Sequence, residues 1–205
     1  MSPLAFGIGK SRGSAFDSAV YYGDYLVFNY EWTDGSDLDT IMFFLNPTTG
    51  ATGKIGERKG NKIENAAGTV TYAEFGGDNS NNVQSPDGTI RQSVLIYLDN
   101  IKDNLTMTNN EFEIDLRAVW YAEVGTQPIY IGVDGYQGGT MATEASTPNH
   151  PGYGYINTTA TTTWSDFKRT NGKITSYTNT DDDGARIARA RVNFSTFDIT
   201  FIEDD

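Results

Sequence analysis

Three aspartates on one turn, in Trp32-Thr-Asp-Gly-Ser-Asp-Leu-Asp39, are the residues whose type and spacing best suit chemistry. Asp34, Asp37 and Asp39 could converge with backbone carbonyls on a hard cation, since calcium takes roughly six to eight oxygens at about 2.3–2.6 Å. The segment is not an EF-hand, because Gly and a closing Glu do not stand where that loop needs them. A solvated hairpin is the plainer alternative, with Asp34-Gly35 serving the turn and the other aspartates facing water. Both readings are open at this point.

The remaining candidates are weaker. Asp181-Asp-Asp-Gly184 is a second acidic turn, a composition usual for a soluble loop tip. Arg186, Arg189 and Arg191 follow it at near-alternating positions, and a period of two puts Arg189 and Arg191 on one face with Ile187 and Asn193. Such a row predicts cross-strand pairing with acidic side chains ahead of a partner-docking patch. His150 is the single histidine, and without cysteines or a second histidine it cannot build the usual zinc site. No serine stands at a strained nucleophile turn. Paired carboxylates for glycoside hydrolysis depend on a separation that sequence does not fix. Tyr21, Tyr22, Tyr130, Tyr136, Tyr153 and Tyr155 could stack on sugar rings or pack at an interface, the alternative being sheet-face packing. The expectation is a chain that holds or binds and is not an enzyme.

The elements that must position these residues are strands. Aromatics make up 13% of the 205 residues, and Tyr, Phe and Thr suit a pleated, half-buried surface better than a helix. Tyr25–Trp32 alternates, with Leu26, Phe28, Tyr30 and Trp32 on one face; Thr40–Leu45 is apolar on both. Val70–Phe75, Ser93–Asp99 and Ile129–Val133 follow, and Glu111–Val124 carries the longest alternation. The last would span about 46 Å at ~3.3 Å per residue, so a bend or bulge is expected within it. Tyr153–Thr163, Lys173–Thr178 and Ala185–Ile202 complete the set, the last broken near Ser195-Thr196. Residues 50–68 read as a long excursion or two short edge strands, and 140–152 as a loop. The pattern predicts an all-β fold, an antiparallel β-sandwich or jelly roll of about eight to ten strands. Residues 1–18, Gly- and Ser-rich with Lys10 and Arg12, read as an N-terminal arm, and 19–205 as one sandwich domain.

Charge and composition narrow the partners. A net charge of −12 repels phosphate backbones, so no nucleic-acid partner is expected, while bound cations remain compatible. No run approaches the ~20 apolar residues of a membrane span. The N-terminus lacks a basic region followed by an apolar stretch, so no signal peptide is expected and the chain is expected to be made in the cytoplasm. With no cysteine, neither disulfides nor thiolate metal sites are available.

Two resemblances bear on function. Tyr30-Glu-Trp-Thr-Asp-Gly-Ser-Asp-Leu-Asp-Thr40, Gly77-Asp-Asn79 before Ser93-Val-Leu-Ile-Tyr97, Phe112-Glu-Ile-Asp-Leu-Arg-Ala-Val-Trp-Tyr121, Gly125-Thr-Gln-Pro128 and Tyr136-Gln-Gly-Gly-Thr-Met141 together resemble structural proteins of tailed-bacteriophage virions. That resemblance implies a virion component, made in the host cytoplasm, acting through protein–protein contacts as a capsid decoration (cement) or tail protein. It implies capsid or tail subunits as partners, a homo-oligomer, no catalytic residues and no obligatory cofactor. On this reading the arm, with Lys10 and Arg12, extends onto a neighbouring subunit. A carbohydrate- or receptor-binding module is the alternative. Asp37-Leu-Asp39, Phe43-Phe-Leu45 and Gly77-Asp-Asn79 also resemble the calcium-binding β-sandwich of tellurite-resistance-type stress proteins, which implies Asp37, Asp39 and Asp78 as metal candidates. That family's denser acidic loop is replaced here by Asn81-Asn-Val-Gln-Ser85.

Deleting residues 1–18 is expected to weaken attachment to a virion while leaving the isolated domain folded. Particle sedimentation with the truncated chain checks this, and undiminished attachment would remove the role assigned to the arm.

Overall fold

The computed structural model describes residues 19–20, 23–33, 35–45, 52–57, 59–84, 88–121, 125, 127–143, 154–157, 159, 162–169, 177–178, 183–196 and 198–202. Among them the chain is almost entirely strand: β1 (Ala19–Val20), β2 (Tyr25–Trp32), β3 (Leu38–Leu45), β4 (Thr52–Gly56), β5 (Lys62–Glu64), β6 (Thr71–Phe75), β7 (Ile90–Tyr97), β8 (Glu111–Tyr121), β9 (Tyr130–Tyr136), β10 (Met141–Thr143), β11 (Tyr155–Asn157), β12 (Thr162–Arg169), β13 (Tyr177–Thr178), β14 (Ala185–Asn193) and β15 (Asp198–Ile202). Ten of these have five residues or more, within the eight to ten expected, although β12 covers Thr162–Arg169, a stretch not read as strand beyond Thr163; the others are short pieces. Among the described residues the one α-helix, α1, is Leu98–Asn104, and none of their helices is long and apolar enough to cross a membrane.

The described strands form two large sheets and one small pair. One has the order β1-β15-β14-β8-β3-β4, with β13 also on β8; the other runs β12-β9-β2-β7-β6-β5, and β10 and β11 pair separately. All pairings are antiparallel except β13 on β8. Side chains alternate across a strand, so the inward sets of the central strands meet between the sheets. From β2 come Leu26, Phe28, Tyr30 and Trp32; from β8 come Phe112, Ile114, Leu116, Ala118 and Trp120. Phe112 stacks on Phe44 of β3 at 5.2 Å between ring centroids and lies 5.7 Å from Phe194. The Tyr30 hydroxyl donates to the carbonyl of Ile41 at 2.8 Å, which satisfies a buried polar group.

Several expectations are adjusted. The strand expected over Ser93–Asp99 starts earlier, at Ile90, and stops at Tyr97. There the chain turns into α1, whose Leu98 and Ile101 are buried, a three-residue spacing that suits one helical face. Residues 50–68 hold two edge strands, β4 and β5, at the same side of the sandwich. Gly53 of β4 meets Ile63 of β5 so closely that an added Cβ would lie 2.7 Å from the isoleucine side chain. β8 ends at Tyr121, and 122–124 lie outside the described residues, as do the arm 1–18, Asp34 and most of 140–152.

The arginine row of β14 pairs inside the sheet, as expected. Arg186 grips Asp115 of β8 with Nε and Nη2, each at 2.8 Å. Arg191 and Arg189 converge on Glu113 at 2.7 and 3.1 Å. Ile187, however, does not share their face. A register shift between Arg186 and Ala188 resets the alternation, as a bulge does, and Ile187 packs against the core.

Burial pushes the Glu113 carboxyl up, but hydrogen bonds from Arg191 and Arg189, and their charges, outweigh it and hold it below its ordinary value of 4.5. A carboxylate lowered in the folded state stabilises fully above its unfolded value, and that stability is lost as pH falls through the folded one. Urea midpoints measured from neutrality downward should therefore drop below about pH 4.5, and Glu113→Gln should show a shallower acid limb.

Candidate metal centre

Two segments on opposite sheets form the centre. The first is the turn between β2 and β3, where the Trp32 indole nitrogen donates to the carbonyl of Ser36 at 3.1 Å. The amide of Tyr121 donates to the carbonyl of Asp37 at 2.9 Å, which fixes the entry to β3 beside β8. The second is the loop after β6. Asn79, fully buried, shapes it: its Nδ2 donates to the carbonyl of Val83 at 3.0 Å, and its Oδ1 accepts from the Val83 amide at 2.8 Å. Asn82, at φ +48°, a conformation asparagine tolerates better than most residues, donates from Nδ2 to the carbonyl of Gly35 at 2.6 Å. That bond ties the two segments together.

With both segments held, one carboxylate oxygen from each of Asp37, Asp39 and Asp78 lies within 4.8 Å of the others. Asp39 is buried, while Asp37 and Asp78 are partly so. Behind them runs a polar line across the interior: Thr40 Oγ1 donates to Gln92 Oε1, and Gln92 Nε2 donates to Asp78 Oδ1 at 2.9 Å. Gln92 and Thr40 are themselves buried. Gln92 thus fixes one oxygen of Asp78 and adds no negative charge.

The donor set fits a hard cation. Two ligands on one calcium can be at most about 4.6–5.2 Å apart, twice the usual Ca–O distance, which is compatible with three oxygens within 4.8 Å of one another. Magnesium demands near-octahedral geometry at about 2.0–2.1 Å and keeps several waters, so three convergent protein carboxylates suit it less. Three ionised carboxylates at this spacing repel by roughly 3–4 kcal/mol per pair at an effective dielectric near 20, and a divalent cation would reverse the sign.

Of the aspartates singled out in the sequence, the structure joins Asp37 and Asp39. Asp34 lies outside the described residues. Asp78 comes from almost forty residues away, beyond any argument from spacing on one turn; only the stress-protein resemblance pointed to it. Gln92 was missed because a buried glutamine in an apolar strand has no pattern of its own. Among the tyrosines proposed for sugar stacking, Tyr155 is buried and Tyr136 packs beside it; Tyr21, Tyr22 and Tyr153 lie outside the described residues, as do His150, Lys10 and Arg12. No family model, curated protein or solved structure matches the chain, so both resemblances stand on their quoted motifs.

Replacing Gln92 with Leu would leave Thr40 and Asp78 each short of a buried hydrogen bond. The expected cost is about 1–3 kcal/mol, read from the denaturation midpoint, and Gln92→Glu should not restore it because it lacks the amide donor.

Proposed function

We propose that the chain is a calcium-binding β-sandwich that works by holding and binding, not by catalysis. The convergence of Asp37, Asp39 and Asp78 from two sheets into one oxygen cluster carries this reading. Calcium there would draw the turn before β3 against the loop after β6, two irregular segments otherwise joined by Asn82 and Gly35. Its effect would be to stiffen one end of the sandwich and fix the loops displayed there. The same chemistry is what the stress-protein resemblance implies. The charge of −12 adds a long-range attraction for cations.

Calorimetry tests the reading. A ligand bound only by the folded state and present at about a hundred times its Kd adds ~2.7 kcal/mol, which for a domain of this size means a rise in Tm of roughly 5–10 °C. Calcium should raise the midpoint by that order, chelator should reverse it, and magnesium should do less. Asp39→Asn and Asp78→Asn should each abolish the response. A melting temperature indifferent to calcium and chelator, or variants that respond as the wild type does, would remove this function.

A further inference from the structure

The side-chain amide of Asn82 stands between the two segments that deliver the aspartates. Its Nδ2 is engaged by the carbonyl of Gly35, just ahead of Asp37, at 2.6 Å. Its backbone amide donates to the carbonyl of Asn79 at 2.9 Å, closing a turn directly after Asp78. With φ at +48° the residue is left-handed, a conformation in which asparagine is enriched over other non-glycine residues. Backbone and side chain are both held in place.

The other end of that amide has no such engagement. Asn82 Oδ1 is buried and accepts no hydrogen bond. An acceptor shut away from water is unfavourable unless a donor or a cation meets it. Exchanging the two ends of the amide does not relieve this, because an oxygen would then oppose the Gly35 carbonyl and two acceptors would meet. The two other amides of the centre differ. Asn79 Oδ1 accepts from the Val83 amide at 2.8 Å, and Gln92 Oε1 accepts from the Thr40 hydroxyl. Of the three, only Asn82 keeps a buried oxygen without a donor.

We infer that Asn82 Oδ1 is a neutral fourth ligand of the calcium proposed for Asp37, Asp39 and Asp78, and the inference rests on that reading. Calcium takes roughly six to eight oxygens and accepts asparagine carbonyls among them. Three carboxylates already outweigh a divalent charge, so a further carboxylate would add repulsion. An amide oxygen raises the ligand number without adding charge. Placement agrees: Asn82 joins the turn before β3 to the loop after β6, and the three carboxylates come from those same segments. One amide then serves twice, its nitrogen tying the segments and its oxygen meeting the ion.

Europium(III), an oxygen-seeking ion close to calcium in size, tests the assignment in the full chain. Its luminescence lifetimes in light and heavy water count the water molecules it keeps. Asn82→Gly suits the positive φ and removes the amide; bound europium should gain about one water, because solvent fills a vacated ligand position. Asn82→Asp also loses the donor to Gly35 but keeps an oxygen, and its water count should equal that of the wild type. Calcium affinity by titration calorimetry should fall at least about tenfold in Asn82→Gly. A loosened loop alone would weaken both variants and change neither count. The assignment is overturned by unchanged hydration in Asn82→Gly, by an equal gain in Asn82→Asp, or by undiminished calcium affinity in Asn82→Gly. If Asp39→Asn abolishes calcium binding while Asn82→Gly leaves it intact, the fourth ligand alone fails. If the wild type binds neither calcium nor europium, the calcium reading fails and the fourth ligand with it.

Discussion

A strand has two faces, and in the central strands of this protein one face is committed entirely to the other sheet. β2, β3, β7 and β8 each send every second side chain inward, so a slip of one residue would bring Glu31 of β2, Asp39 of β3, Arg91 of β7 or Glu113 and Asp115 of β8 into the core. That penalty fixes the register, and register fixes all else. It brings Thr40 of β3 opposite Gln92 of β7 and the starts of β3 and of the β6–β7 loop to the same end of the sandwich. It also sets the acidic row of β8 under the arginines of β14. The polar contacts are placed by the apolar ones.

That dependence explains what the sequence disclosed. Period-two alternation is a local signal, and β2, β8, β14 and β15 were legible because their neighbours on the chain carry it. The break at Ser195-Thr196 was visible for the same reason, as the turn joining β14 to β15. The bulge at Arg186 was not, since one extra residue leaves no mark in composition and moves Ile187 to the core face. α1 was hidden as well. Its single buried pair, Leu98 and Ile101, is too short a run to outweigh the strand that precedes it.

The carboxylate cluster shows a similar divide. Asp37 and Asp39 announced themselves by spacing, but spacing cannot report a third carboxylate from another sheet. Asp78 reaches the centre because Asn79 folds its loop and Gln92 holds one of its oxygens. Sites of this kind are built from short-range turns delivered by long-range pairing, and only the first half is written locally. The arginine row gave the complementary lesson. In a chain this acidic, clustered positive charge is absorbed by the sheet itself, where Asp115 and Glu113 already stand opposite.

The corner between β4 and β5 bears on how the molecule behaves among its own copies. Unpaired strand edges recruit other chains, and open sandwiches need some means of guarding them. Here the last strand of each sheet folds against the other, and the missing side chain at Gly53 is what lets Ile63 lie that close. Each edge becomes the shield of its counterpart. Self-association by strand addition is discouraged on that flank, and contacts with like molecules are left to the remaining surfaces.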